Sequence, residues 1–332
     1  VNATPPAGAD TGETLELVRR QPAPHARERA PSAVVLLAGT VRESPLARGA
    51  RRALLDLPLT PTTTIGGMWA QRIQELADAV GAPSLPLFIA TTPVSPDVPS
   101  AQPTPLAGAT FVPDASPLRG TGGALVDLCD RFSEADTILV ANAHAVAMRP
   151  LASTVRALFD AKSEVVLHAD ENSAPTGMFL ARVSALLDIP RRGFVDFKEQ
   201  ALSRIAASHA VHVVRELGPH VAPVRTLDGY IRAVRFFAAS PGGAGAVGGV
   251  GGGGGAGELS DPLAEEWRST FSLADAGASV APDARLVDSV VLAGAKVGAG
   301  AVVVRSVICP GAQVAAGAFV GDQVVDVAGD AS

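Results

Sequence analysis

From Val280 to Val320 branched aliphatics recur at Val280, Leu286, Val291, Val297, Val303, Ile308, Val314 and Val320, in steps of six, five, six, six, five, six and six residues. Any three consecutive steps add up to seventeen residues, so 280, 297 and 314 fall in register, as do 286, 303 and 320, and 291 and 308. A half-buried strand of a flat sheet alternates every second residue. A three-sided coil instead brings one aliphatic per side to its axis, and the Ala and Gly residues between them let the chain turn each corner. The tail is therefore expected to be a small parallel β-helix of hexapeptide repeats.

The chain upstream of this coil is organised differently. With 332 residues, 47% of them hydrophobic, it can bury one large core and a smaller one. Aromatics make up only 4%, so Ala, Val, Leu and Gly carry the packing. Short apolar runs at Ala33 to Gly39, Leu85 to Ala90, Ala109 to Val112, Thr137 to Asn142 and Ser163 to Ala169 read as buried strands. Helical patterns alternate with them: Trp69, Ile73, Leu76, Ala77 and Val80 share one face before Gly81, and further patterns cover 123–132, 151–161, 198–208 and 226–237. Such alternation predicts an α/β domain with a mostly parallel sheet. The proline-rich stretch 92–108 reads as a loop. Four regions follow: an N-terminal arm at 1–31, the α/β domain at 32–240, a glycine-rich tether at 241–258, and a capping segment with the coil at 259–332. Trp267 and Phe271 are expected to dock on or cap the first turn of the coil.

Composition also excludes function classes. A net charge of −6 without a long basic run argues against a general nucleic-acid surface. The first thirty residues hold no continuous apolar stretch, so neither a signal peptide nor a membrane anchor is read there. Cys129 and Cys309 sit in separate segments, with neither metal-site spacing nor a disulfide framework, as in a protein of the reducing cytoplasm.

Three motifs, in order, resemble the sugar-1-phosphate nucleotidyltransferases. In "LLAGTVRESPLARGARRALLDLPL", Gly39, Arg42, Pro45, Leu46, Leu54 and Leu55 match that family's opening glycine-rich motif and the proline- and leucine-bearing segment after it. "RGTGGALVDL", from Arg119, is similar to its second glycine loop, and "PTGMFLARVSALLDIPRRGFVDFKEQALSRIA" to its sugar-holding strand and the acidic helix that follows. Tails with a five-residue side, here "LVDSVV" and "VVRSVI", are familiar in the same family. The resemblance covers roughly residues 33 to 322. It implies a Rossmann-like nucleotidyltransferase domain followed by a left-handed parallel β-helix. It also implies transfer of a nucleotidyl group from a nucleoside triphosphate to a sugar-1-phosphate, giving a nucleotide sugar and pyrophosphate. In that reading Gly39, Thr40 and Arg42 hold the triphosphate and Arg52 aids the phosphates. Gly120, Thr121, Gly122 and Gly123 approach the nucleoside, while Gly177, Asp196 and Lys198 face the sugar. A strand ending in a Gly-rich loop exposes N–H groups to phosphate, and an arginine neutralises the leaving group.

The chain departs from this pattern where catalysis is concentrated. Its opening loop is one residue short and lacks the second glycine, and Arg52 replaces a lysine, keeping the charge but changing its reach. The strand "ILVANAHAV" offers His144 where the family has a magnesium-binding aspartate, and Pro223 stands where the second metal carboxylate belongs. Imidazole is a poor magnesium ligand. Mg²⁺ is then expected to arrive on the substrate's phosphates and waters, or through an unaligned acidic residue such as Asp170 or Asp228. Simpler readings stand beside these: Arg42 and Arg52 as solvated loop charges, His144 as a strand-end histidine, and Asp196, Lys198 and Glu199 as ordinary residues of a helix start. None of the six histidines lies between Val280 and Val320, which disfavours acyl transfer at the coil and leaves it a packing role, including a homo-oligomer. The alternative to turnover is a degenerate relative that binds nucleotide sugars or serves as a structural or regulatory subunit.

Overall fold

The computed structural model describes residues 30–38, 45–91, 106, 108–114, 119–218, 220–239 and 270–327. Most of the arm at 1–31, the segment with Gly39, Thr40 and Arg42, the tether at 241–258 and Trp267 lie outside the described residues.

The α/β part begins with β1 (Ala33–Leu37), α1 (Pro45–Ala50), α2 (Ile65–Ala79), β2 (Leu87–Thr91) and β3 (Thr110–Pro113). It continues through α3 (Gly120–Leu128), β4 (Thr137–Asn142), β5 (Ala145–Ala147), α4 (Leu151–Asp160), β6 (Val165–Ala169) and β7 (Pro175–Arg182). The short α5 (Val183–Leu186) and α6 (Leu202–Ile205), then β8 (Val211–Arg215), β9 (Val221–Pro223) and α7 (Leu227–Ala239), complete it. Seven strands form one sheet in the order β3-β2-β1-β4-β7-β6-β8. Only β7 runs against its neighbours β4 and β6, so the sheet is mostly parallel, as in a Rossmann-like domain.

Both faces of this sheet are covered, which is why its strands read as unbroken apolar runs. Along β1, Val34 and Leu36 join the core under α2 and α4, while Ala33, Val35 and Leu37 join the core under α3 and α5. Helix α2 is started by Thr64, whose hydroxyl accepts from Gly67 N at 3.1 Å, and it buries Trp69, Ile73, Leu76 and Ala77. Strand β8 escaped the periodicity because Val211, His212, Val213, Val214 and Arg215 form an edge with no fully buried residue. The helical pattern expected over 198–208 is broken into a wide turn at Phe197–Ala201 and the four-residue α6. Among the described residues no helix is long and apolar enough to cross a membrane.

The tail is built of three parallel ladders. One stacks Ser272–Ala274, Ser289–Val291, Val307–Ile308 and Val324–Val325; a second stacks Ser279–Val280, Lys296–Val297 and Gln313–Val314; a third stacks Arg285–Val287, Val302–Val304 and Phe319–Gly321. Val280 pairs with Val297 and Val297 with Val314, Leu286 with Val303 and Val303 with Val320, and Val291 with Ile308. All eight aliphatics gather in one cluster, with Val291, Val297, Val303, Ile308 and Val314 buried. The corner after the third ladder is made by Asp288, Arg305 and Asp322 at φ 48, 46 and 54°, a left-handed conformation open to Asp and costly for Arg. Arg305 is held there by Asp322 at 2.7 Å. Beneath that corner the buried Ser289 takes Ser306 N at 3.2 Å and Ser306 takes Gln323 N at 3.1 Å, a hydroxyl ladder with the same seventeen-residue spacing.

Coil and α/β part share one core. Leu273, Val290, Val307 and Val324 point away from the coil axis and pack with Leu46, Ala50, Tyr230 and Val234. Phe271 is buried in this shared core too, so its docking is against the α/β part rather than on the coil's axis. Ion pairs rim the joint, among them Arg52 with Asp275 at 2.6 Å, Arg235 with Asp288 at 2.6 Å and Arg305 with Asp228 at 3.4 Å.

Val297→Asp puts an unpaired charge into the dry axis and should cost about 3–5 kcal/mol in denaturant unfolding. Lys296→Asp, one residue away and exposed, should change stability by less than about 0.5 kcal/mol. Equal losses from both would place Val297 in solvent.

Candidate functional site

The strand order reverses at β1: β2 and β3 lie to one side of it and β4 to the other. At that point helices leave the sheet on opposite faces and a crevice opens beyond the carboxyl ends of the strands. A cleft of about 510 Å³ lies there, reached by Leu37 at the end of β1 and Asn142 at the end of β4. Asp170 and His168 come from the end of β6, and Pro175, Thr176 and Gly177 from the start of β7. Thr121, Asp196, Phe197 and Lys198 form the opposite wall.

Indole Nε1 of Trp69 fixes the β4 end by donating to Ala145 O at 2.9 Å, while Ala143 N donates to Leu37 O at 3.0 Å. Gly177 stands beside that end at φ +79°, and a Cβ there would lie 2.2 Å from Asn142 Nδ2. The side-chain amide of Asn142 therefore passes over the backbone of Gly177, which only glycine permits. Phe179 and Phe197 stack face to face at 4.4 Å and form an apolar wall.

The second glycine loop faces the irregular segment at Val195. Gly122 N and Gly123 N donate to Val195 O at 2.9 and 3.3 Å, and a Cβ at Gly120 would lie 2.5 Å from the same oxygen. These glycines let α3 approach the chain at Val195, and the N–H groups of Gly122 and Gly123 are satisfied there. Thr121 alone of the four lines the cleft. Its hydroxyl accepts from Phe197 N at 2.9 Å and donates to Asp196 Oδ2 at 3.3 Å, while Asp196 Oδ1 accepts from Glu199 N at 3.0 Å. Arg119, before this helix, is buried and forks onto Asp127 at 2.7 and 2.9 Å while giving Gly193 O a third bond at 2.9 Å. It clamps the loop that carries Asp196 and Lys198.

The structure thus brings Thr121, Gly177, Asp196 and Lys198 together at one cleft, and places Arg52 and His144 elsewhere. Arg52 is drawn to the coil by Asp275 because it follows α1, the helix on which the coil rests. His144 lies in the β4–β5 turn and is not part of the cleft wall; its Nδ1 is buried without a hydrogen-bond partner among the described residues. Asn142, His168 and Thr176 are cleft residues that sequence reasoning passed over, and Asp170, an unaligned metal candidate, lines it too. A polar residue closing or interrupting an apolar run, as in "TILVAN" and "VVLHAD", was the available signal.

Among the described residues the carboxylates that line the cleft are Asp170 and Asp196, and both accept backbone N–H groups. Asp170 Oδ1 accepts from Asn172 N and Ala174 N at 2.9 and 2.8 Å, and Asp196 is engaged as described. Pro223 lines the cleft without a coordinating side chain. Behind the wall, His168, Glu216 and His220 converge, and burial holds His168 below its ordinary range with Glu216 partly offsetting it.

No protein-family model matches the chain, and no curated protein sequence matches it. Among solved structures it is similar to HddC from Yersinia pseudotuberculosis, with a TM-score of 0.42 and 16% identity over 62% of this chain and 99% of that one. The same protein complexed with GMP-PN gives a TM-score of 0.41 and 14% identity over 62% and 99%. Likeness this distant assigns neither ligand nor reaction, and the cleft stands on its own geometry.

Burial, aided by the charge of Arg225, lowers the His144 pKa to about 4 from 6.5. Between those values the unfolded chain takes up a proton that the folded chain refuses, so this histidine lowers stability as pH falls from about 6.5 to about 4. Asp114, raised by burial first and Asp127 second to about 6, acts in the opposite sense, since its folded form binds the proton more tightly. A His144→Gln variant isolates the first effect: its melting temperature should fall less than that of the wild type between about pH 7 and about pH 4.5. Parallel curves would mean that His144 titrates as if exposed.

Proposed function

We propose that this cleft binds a nucleotide sugar or its precursors, and that the protein is of the sugar-1-phosphate nucleotidyltransferase type. The observation that supports this most is the position of the cleft at the reversal of strand order, where open α/β sheets take phosphate-bearing ligands. In this reading Lys198 meets phosphate as a point charge, and the Asn142 amide, held over Gly177, offers both a donor and an acceptor to a sugar hydroxyl. Thr121 and Asp196 hold the wall between them. The segment with Gly39, Thr40 and Arg42 directly follows β1 and would supply the triphosphate contacts.

The reaction proposed joins a sugar-phosphate oxygen to the α-phosphorus of a nucleoside triphosphate and breaks the bond to pyrophosphate. Alignment and charge neutralisation are all the protein need provide. The cleft carboxylates each hold backbone N–H groups through one oxygen, and in this reading magnesium enters as the counter-ion of the substrate's phosphates. The same observation favours a second reading, a relative that binds nucleotide sugars with little or no turnover. The three ladders of the tail are, in this proposal, the sides of a left-handed β-helix of hexapeptide repeats that also serves self-association.

Pyrophosphate release should be followed across nucleoside triphosphates and sugar-1-phosphates with Mg²⁺, beside calorimetric titration of nucleotide sugars. Binding is expected with at most slow turnover. Lys198→Ala should weaken it about 5- to 100-fold, the range of one charge-assisted contact. Gly177→Ala should weaken it as well by displacing the Asn142 amide. No heat with any nucleotide or nucleotide sugar would overturn both readings of the cleft.

A further inference from the structure

Three side chains that the cleft reading does not use meet behind its wall. His168 lies at the end of β6, and Glu216 and His220 flank the connection from β8 to β9. Their ligand atoms all lie within 4.8 Å of one another. His168 Nε2 is 2.9 Å and His220 Nδ1 3.3 Å from the same carboxylate oxygen, Glu216 Oε2.

The partners of each ring nitrogen constrain where the protons sit. Leu217 O, 3.0 Å from His220 Nε2, can only accept, so that nitrogen carries the ring proton and Nδ1 turns a lone pair toward Glu216. Thr154 spends its hydroxyl proton on Glu216 Oε2 at 2.7 Å, which leaves none for His220 at 3.5 Å. Thr176 Oγ1 lies 3.2 Å from the carbonyl of His168 and 2.8 Å from His168 Nδ1; in the tautomer where its proton goes to that carbonyl, Nδ1–H donates to Thr176. His168 Nε2 then also faces the carboxylate as a lone pair. In that tautomer two lone pairs converge on one anionic oxygen, an arrangement that suits a positive centre between them. Protonating both rings would crowd two imidazolium ions, one of them fully buried, against a single carboxylate.

We propose that His168, Glu216 and His220 bind a divalent transition metal ion of the zinc class. A tetrahedral ion with bonds of about 2.0–2.1 Å sets its ligands about 3.3 Å apart, near the two separations seen. Each histidine gives its second nitrogen to an oxygen acceptor, which fixes ring and tautomer as metal-bound histidines require. Two imidazoles and one carboxylate suit zinc, cobalt or nickel better than magnesium. Glu216 retains 18% of its side-chain exposure, so water can take the fourth position. Such an ion would tie the β8–β9 connection to β6 and, through Thr176, steady the part of the cleft wall that carries Gly177. It is independent of what the cleft binds.

The test uses the full chain, stripped with a chelator and titrated with Zn²⁺ by calorimetry and with Co²⁺ by visible absorption. One equivalent should bind, with the intense d–d bands of a four-coordinate cobalt site, and Mg²⁺ should not compete. His220→Ala and the near-isosteric Glu216→Gln should each weaken binding at least about tenfold, with circular dichroism confirming that the variants are folded. His209 lies near Asp188 and Glu164 on the surface, at 3.3 and 3.7 Å, and serves as the control; His209→Ala should bind as the wild type does. No uptake by the wild type, or uptake lost in His209→Ala and kept in Glu216→Gln, would overturn the proposal.

Discussion

One alternation holds this molecule together. On the ladder of Ser289–Val291, Val307–Ile308 and Val324–Val325, adjacent residues face opposite ways: Val291 and Ile308 fill the coil, while Val290, Val307 and Val324 leave it and enter the α/β core. A parallel strand buried on both faces needs that doubled apolar pattern. The other two ladders do not share it: Lys296 and Gln313 alternate outward on one, Arg285 and Phe319 on the other. Only one side of the coil can therefore serve as the joint, and Arg52, Arg235 and Arg305 pair with aspartates around it. The coil becomes a buttress for α1 and α7 rather than an appendage.

The buttress bears on function through Tyr230. Its ring is wholly buried in the shared core, and its hydroxyl donates to Pro58 O at 2.6 Å, tying α7 to the chain before α2. Helix α2 in turn carries Trp69, which pins the turn after Asn142. A chain of packed contacts thus runs from coil to cleft edge. On the other side the buried Arg119 clamp fixes the segment of Asp196 and Lys198. Both walls of the cleft are positioned by groups that never touch it.

Legibility in the sequence followed the range of the interactions. The coil register could be read because its period repeats the same physical demand every seventeen residues. Strands β1, β4 and β6 and the buried face of α2 were legible from local apolar patterns. The Gly120 to Gly123 loop is legible as a place of close approach, but a glycine gives the same signal whether a ligand or a backbone such as Val195 comes close. Arg52 was read as a phosphate ligand because a charge in sequence does not reveal its partner, and Asp275 lies 223 residues away. Glu216 and His220 meet His168 only after β8 is laid beside β6, so no local pattern could announce them.

The central claim is that the cleft at the reversal of strand order, walled by Asn142, Gly177, Thr121 and Lys198, is the ligand site. A crystal structure of the full chain grown with a nucleotide sugar tests it most directly. The account predicts density in that cleft, with a hydroxyl or phosphate oxygen within hydrogen-bond distance of Asn142 Nδ2 and of Lys198 Nζ. Ligand bound only at the coil or on another face, with the cleft holding solvent alone, would contradict it.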